Sequence, residues 1–488
     1  MRRWKSSLFA NNGISMGALI VIFSLISLMF ISGCDDDDTV TNPNDPPPVP
    51  VNPYPADGAV AQDIEVRLQW YCVDPDNDAL TYYIYLSTTN PPDLVDTVNT
   101  YLYNHDRLEF NTTYYWKVEA DDGNGHTTES EVWSFTTGQL FFIDDYDANR
   151  ARRLYLSDNS LIHIADDNWG MRIFQMTDTS RIGARIDSVG AVSLGTVIIS
   201  DVITSGDTSF VASGKGLILV DEFDPTVPGY FEHPDPDSDN VISLFEYDSD
   251  TVNHAYESEA VGLAGGYAII AGPEVEWDDG LSDRGDTTSI ITSIDYTVPY
   301  HMALADSIKL SKSIFTDLYI AGNYAYVADS LNGLRVFDIS DPTNMSLVST
   351  TATQGDAMAI GIHESVAYIA DGISGLSLYS VANPASPTFI SNIEVPGRAT
   401  DICVYEDPVS SKTHAYIAAN WDGGLQIVDV TDPNDMEIVA SRETAGGCSG
   451  VFAKRSMLDT DDDGTADDVI LVYLTDTYLG LYVFEFQP

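Results

Sequence analysis

Residues 459–467 read Asp-Thr-Asp-Asp-Asp-Gly-Thr-Ala-Asp, a spacing that suits an oxygen-rich cation site. Asp459, Asp461, Asp463 and Asp467 fall at loop positions one, three, five and nine, and Thr465 offers its carbonyl at position seven. Gly464 permits the sharp turn at position six. Four carboxylates so close together repel one another unless a cation lies between them, so a structural Ca²⁺ site is expected here. Position twelve is Ile470 where an EF-hand has Glu, and a strand pattern follows where an EF-hand has a helix. A sparser trio, Asp74, Asp76 and Asp78, follows Trp70. It is a weak metal candidate, and a polar turn around Pro75 explains it more simply. Motifs for covalent or phosphoryl chemistry are missing: no Gly-x-Ser-x-Gly, no Gly-x-x-x-x-Gly-Lys and no His-Glu-x-x-His. The 8 His are scattered singly. No catalytic residue is therefore assigned, and the chain is not expected to be an enzyme.

The elements that position these residues are strands. Aromatic and β-branched residues abound, with 27 Tyr, and helical periodicity is scarce, so the fold class is all-β. A length of 488 residues calls for two or more cores. The formal charge of −53 excludes nonspecific nucleic-acid binding, which needs Lys and Arg against phosphates. It also disfavours docking of the folded part on anionic lipid.

At the N-terminus, Arg2, Arg3 and Lys5 precede an apolar run over residues 17–31. Ile31-Ser32-Gly33-Cys34 then resembles a lipobox, and the resemblance implies that Cys34 carries lipid and holds the protein to a membrane. Residues 1–34 are read as this leader. The proline-rich, acidic residues 35–53 are read as an extended tether. Two readings of Asp35–Asp38 stand. One is inner-membrane retention on the periplasmic face, the other export to the outer-membrane surface, which suits a long spacer better.

A repeat dominates the rest. YAYVADSLNGLRVFDISDPTNMSLVST (324–350) returns at residues 366–392 and 414–441, each copy with a buried strand, a glycine turn, an alternating strand and an Asx-Pro turn. Asn332-Gly333, Ser374-Gly375 and Asp422-Gly423 are the expected positive-φ turns. GLRVFDISDP (333–342) and GLQIVDVTDP (424–433) resemble the LVIVD-repeat proteins, which implies a bacterial, surface-associated β-propeller. Looser copies extend the reading over 139–488. Small residues at equivalent positions, Ala165, Ala212, Ala271, Ala328, Ala370, Ala418 and Thr475, predict seven blades, with six or eight as the alternatives. The last repeat lacks a fourth strand, so residues 140–145 are expected to supply it and close the ring.

Residues 54–137 form a separate unit. Val66, Leu68, Trp70 and Cys72 alternate on one strand face, and Tyr114 opens a late strand, Tyr115-Trp116-Lys117-Val118. The pattern resembles a fibronectin type III sandwich, which implies a tyrosine bonded back across a corner. Cys403 and Cys448 are read as two buried thiols, with a disulfide as the alternative. Arg284-Gly285-Asp286 resembles an integrin-recognition tripeptide. Chance explains it, since such a triplet arises in roughly one chain of this composition in eight. The loop at 459–467 resembles those of FG-GAP propeller repeats, which implies a Ca²⁺ loop between the first two strands of a blade. Taken together, a lipid-anchored extracytoplasmic protein that binds or adheres to an extracellular protein or glycan is expected. The alternative is a propeller hydrolase or lyase acting on extracellular glycans. Converging carboxylates with an Arg or His in the central channel would favour the enzyme.

Overall fold

The computed structural model describes residues 44–105, 107–146, 151–156, 162–166, 170–176, 186–192, 199–205, 208–213, 216–221, 241–246, 254–256, 259–276, 288–297, 302–420, 423–444, 446–458, 467–477 and 480–488. All regular elements among them are strands.

The first unit is a two-sheet sandwich. Val51–Tyr54, Arg67–Tyr71 and Leu102–Asn104 form one sheet. The other runs Ala59–Gln62, Trp133–Thr137, Thr113–Asp121, Thr81–Ser87, Leu94–Val98. Period-two patterning decides which face is buried: Tyr114, Trp116, Val118 and Ala120 enter the core while their neighbours are exposed or half-buried. Trp70, Trp133 and Phe135 fill the core around them. The Tyr114 hydroxyl accepts the Glu109 N–H at 3.1 Å and pins the corner.

This unit begins earlier than the sequence reading placed it. Val51 already pairs with Tyr71. The Pro47 and Pro48 carbonyls accept the Thr128 hydroxyl at 3.0 and 3.1 Å, and Pro48 also accepts the Cys72 thiol at 3.2 Å. A tether over all of 35–53 is therefore corrected. Proline presets an extended backbone whose carbonyls are unpaired within the segment, and from Asn44 onward that backbone docks on the sandwich.

Seven further sheets form the propeller. Their first strands are Ala151–Leu156, Ile199–Ser205, Ala260–Ala264, Phe315–Ala321, Ala359–His363, Arg398–Glu406 and Cys448–Leu458, for blades one to seven. The seven small residues of the repeat lie on the second strands, none more than 1 % exposed, so adjacent blades leave no room there for a larger side chain. Gly333 and Gly375 take φ of +85° and +79°, and a Cβ at either would strike a backbone carbonyl of its own blade's outer strand. In the third copy that role falls to Gly424, at φ +63°, and not to Gly423. The hairpin there is one residue longer, because Ala419 pairs with Gly424 where Asp329 pairs with Gly333. The turn aspartates behave as their chemistry dictates: Asp341 accepts the Thr343 N–H at 3.0 Å and Asp432 the Asn434 N–H at 2.9 Å.

The ring closes with a strand from its other end. Leu140–Tyr146 pairs antiparallel with Gly480–Phe486 and is the outermost strand of blade seven. Phe142 packs edge-on against Tyr482 and Phe484, while Phe141 is buried in the sandwich core. Arg107 of the sandwich pairs with Glu485 of blade seven at 2.7 Å. One strand thus serves two cores.

Candidate functional site

Four charged residues meet at the waist of the central channel. Each comes from the first strand of a different blade, at the point where that strand bulges: Arg153 on blade one, Asp201 on two, Asp317 on four and Asp401 on six. On blades two, four and six the residue skipped by the ladder is the one before the aspartate, Ser200, Thr316 or Thr400, and the local twist of the bulge re-aims the side chains there. Each aspartate leans onto the next blade. Asp201 accepts the Val261 N–H at 3.0 Å, Asp317 the Ile360 N–H at 2.8 Å, and Asp401 the Val451 N–H at 2.9 Å. The preceding threonines add a second tie. Thr316 donates to the Ala357 carbonyl and Thr400 to the Cys448 carbonyl, both at 2.9 Å. On the seventh blade Ser449 plays this part, donating to the Arg152 carbonyl at 3.1 Å.

Arg153 crosses the channel to blade four, where its guanidinium pairs with Asp317 and donates to the Thr316 carbonyl at 3.2 Å. Burial works against its charge, but the carboxylates of Asp317, Asp401 and Asp201 outweigh that and hold it firmly protonated. Burial pushes Asp201 up to about 7 and Asp401 up to about 6. Arg153 opposes both shifts and Asp317 adds to them.

This bridge separates two cavities. The larger, about 710 Å³, opens on the face that carries the second-to-third-strand hairpins. Arg152, Glu259, Met358, Asn420, Ser449 and Thr477 are among its lining residues. The smaller, about 330 Å³, lies beyond the bridge. The hairpins around the larger mouth are cinched by aspartates that end the second strands. Asp371 accepts the Gln354 and Gly355 N–H groups at 2.9 and 3.0 Å and the Ser377 hydroxyl at 2.7 Å. Asp329 takes the Arg335 guanidinium at 2.6 Å.

The residues predicted from sequence sit elsewhere. Asp74 spends one oxygen on the N–H groups of Asp76 and Asp78, at 2.8 and 3.2 Å. Asp76 accepts the Asp45 N–H at 2.7 Å and Asp78 the Asn124 amide at 2.8 Å. The three carboxylates diverge to separate partners instead of sharing one centre. Cys34, the tripeptide Arg284-Gly285-Asp286 and residues 459–466 lie outside the described residues. Asp467 pairs with Leu458 where the second strand of blade seven begins, and Arg455 binds Asp468 and Asp407, each at 2.6 Å. Cys403 and Cys448 are free thiols, each pushed up to about 12 chiefly by burial, so neither is a nucleophile at neutral pH. The waist cluster was missed. Its signal was the dipeptide Ser200-Asp201, Thr316-Asp317, Thr400-Asp401, which recurs on every second blade.

No curated protein matches the chain. Among solved structures, the computationally designed Ika8 protein is similar at a TM-score of 0.44 and 8% identity, covering 70% of this chain and 98% of that one. The WD40 β-propeller domain of Doa1 is similar at a TM-score of 0.47 and 10% identity, covering 72% of this chain and 97% of that one. The LVIVD repeat family matches residues 315–353, 354–395 and 396–444. Those spans coincide with blades four, five and six. The chain is thus a β-propeller protein in which three consecutive blades are LVIVD repeats.

Proposed function

We propose that this protein is a lipid-anchored binding protein of the bacterial cell envelope, surface-exposed, whose propeller recognises an extracellular protein or glycan. The sandwich, with its fibronectin type III-like tyrosine corner, serves as the stalk. The observation that carries the reading is the wide mouth over a bridged channel. A cavity of about 710 Å³ is large enough for a side chain or a sugar unit. Its lining mixes polar and apolar groups, and the cinched hairpins around it make a rigid receptor. A glycan and protein array probed with the purified chain tests this; an array with no specific hit on either class removes it.

A second reading, a hydrolase or lyase acting on glycans, is favoured by one feature. Asp201 and Asp401 flank Arg153 with carboxyls poised near neutral pH, as a general acid and base would be. Against it, each carboxylate already holds a backbone N–H of the next blade.

Two expected results bear on the anchoring and the cation site. Replacing Cys34 by Ser should move the protein from the membrane to the soluble fraction, and membrane retention after a carbonate wash would overturn the anchor. The loop at 459–467 is proposed to bind Ca²⁺ at about 10⁻⁴–10⁻³ M, as extracellular modules do. Calcium should raise the melting temperature of the wild type but not of an Asp461→Ala/Asp463→Ala variant. Equal responses in the two would remove the site.

A further inference from the structure

The cavity beyond the Arg153 bridge has a composition that the mouth lacks. Asp201, Asp317 and Asp401 lie at one end, and Tyr155, Tyr319, Tyr405 and Phe452 stand along its walls. Tyr155 and Phe452 meet edge-on with centroids 6.0 Å apart, and Tyr319 is 41% exposed, so solvent reaches the space. The charge balance within it is unequal. Among the described lining residues Arg153 is the one cation, against three carboxylates from blades two, four and six. Blades three, five and seven contribute only uncharged residues, including Val261, Ile360 and Val451, and the Cys403 thiol stays neutral. Asp317 is matched by Arg153, so Asp201 and Asp401, once ionised, are in excess of the cation that faces them.

We propose that this chamber binds a small organic cation, an amine whose ammonium sits against Asp201 and Asp401 while its carbon chain lies on the aromatic walls. Carboxylates accept ammonium N–H groups, and aromatic faces attract a cation held over them. A volume of about 330 Å³ matches a ligand of a few heavy atoms. A metal ion fits less well, because among the described residues no three His, Cys, Asp or Glu side chains are placed to hold one. The inference stands independently of what binds at the mouth.

Titration calorimetry of the full chain in detergent micelles tests it, with n-butylamine as probe and butan-1-ol as the neutral control. The amine should bind saturably at pH 8 and the alcohol should not. Binding should weaken about tenfold or more at pH 5, because a carboxyl one pH unit above that is then about nine-tenths protonated. At pH 6.5 binding should release protons, seen as a heat that changes with buffer ionisation enthalpy. Asp401→Asn keeps an oxygen for the Val451 N–H, so it should fold and yet bind at least about tenfold more weakly. Tyr319→Leu, at a half-exposed site, gives a second variant with an expected loss of affinity. Equal binding of amine and alcohol, or unchanged affinity in both variants, overturns the proposal.

Discussion

Arg153→Met should destabilise the propeller by about 3–5 kcal/mol, read as a shift in the chemical denaturation midpoint. The arginine is 16% exposed and its partner Asp317 only 8%, so removing it strands a largely buried charge. Asp201 and Asp401 then face Asp317 with nothing between them. Arg153→Met/Asp317→Asn should recover most of the loss, since the neutral amide still accepts the Ile360 N–H. A single variant within about 1 kcal/mol of wild type would show that the bridge contributes little. The pH dependence carries its own sign. Asp201 and Asp401 titrate higher when folded than when unfolded, so their contribution is fullest below the ordinary aspartate range and is lost as pH rises through 6 to 7. Buried His414, pushed down to about 4 by its surroundings, works the other way and loses stability as pH falls from about 6.5 toward 4. Two raised carboxyls outweigh one lowered imidazole, so these groups together should make wild-type stability fall as pH rises from about 4 to 7, and Asp201→Asn/Asp401→Asn should flatten that fall.

Deleting residues 139–145 is expected to cost about 5 kcal/mol or more. The deletion takes the pairing partner from Gly480–Phe486, Phe142 from blade seven and Phe141 from the sandwich, and burying a Phe alone contributes about 3–5 kcal/mol. It also exposes an apolar strand edge, so aggregation should accompany the loss. Because the cut shortens the link between the two units, the decisive arm is addition in trans of a peptide spanning residues 139–147. Recovery of the melting transition with peptide identifies the strand as the cause. An unchanged transition without it would mean that the ring closes by other contacts.

The parts that were legible in sequence are those whose physics is local. A glycine at positive φ, an Asx-Pro turn and an alternating strand each announce themselves within a few residues, and three strong copies sufficed to place the weaker ones. Ring closure was legible by counting strands. The start of the sandwich was misplaced because Pro47 and Pro48 read as spacer, whereas their value lies in carbonyls offered to Thr128 and Cys72. Gly423 was chosen over Gly424 because one inserted residue is invisible without the register. The waist cluster is non-local: residues 153, 201, 317 and 401 come together only once seven blades stand in a circle. Nothing near any of them in the chain hints at the other three beyond the alternate-blade dipeptide.

That dipeptide has a consequence of parity. Asp201, Asp317 and Asp401 each reach forward from an even blade to an odd one, so the waist is built from pairs: two with three, four with five, six with seven. At the equivalent point, paired to the repeat's small residue, the odd blades carry Ala260, Ala359 and Gly450. An alternating pattern closes perfectly only around an even number, and seven leaves one blade over. The remainder falls at the seam, where Gly450 presses so close to the Arg152 carbonyl that a Cβ would collide with it. Blade one, the unpaired blade, supplies the opposite charge instead and spends it across the ring. An eighth blade of either kind would make the waist regular and remove the reason for a lone arginine, so in this architecture the odd count is what creates an asymmetric centre.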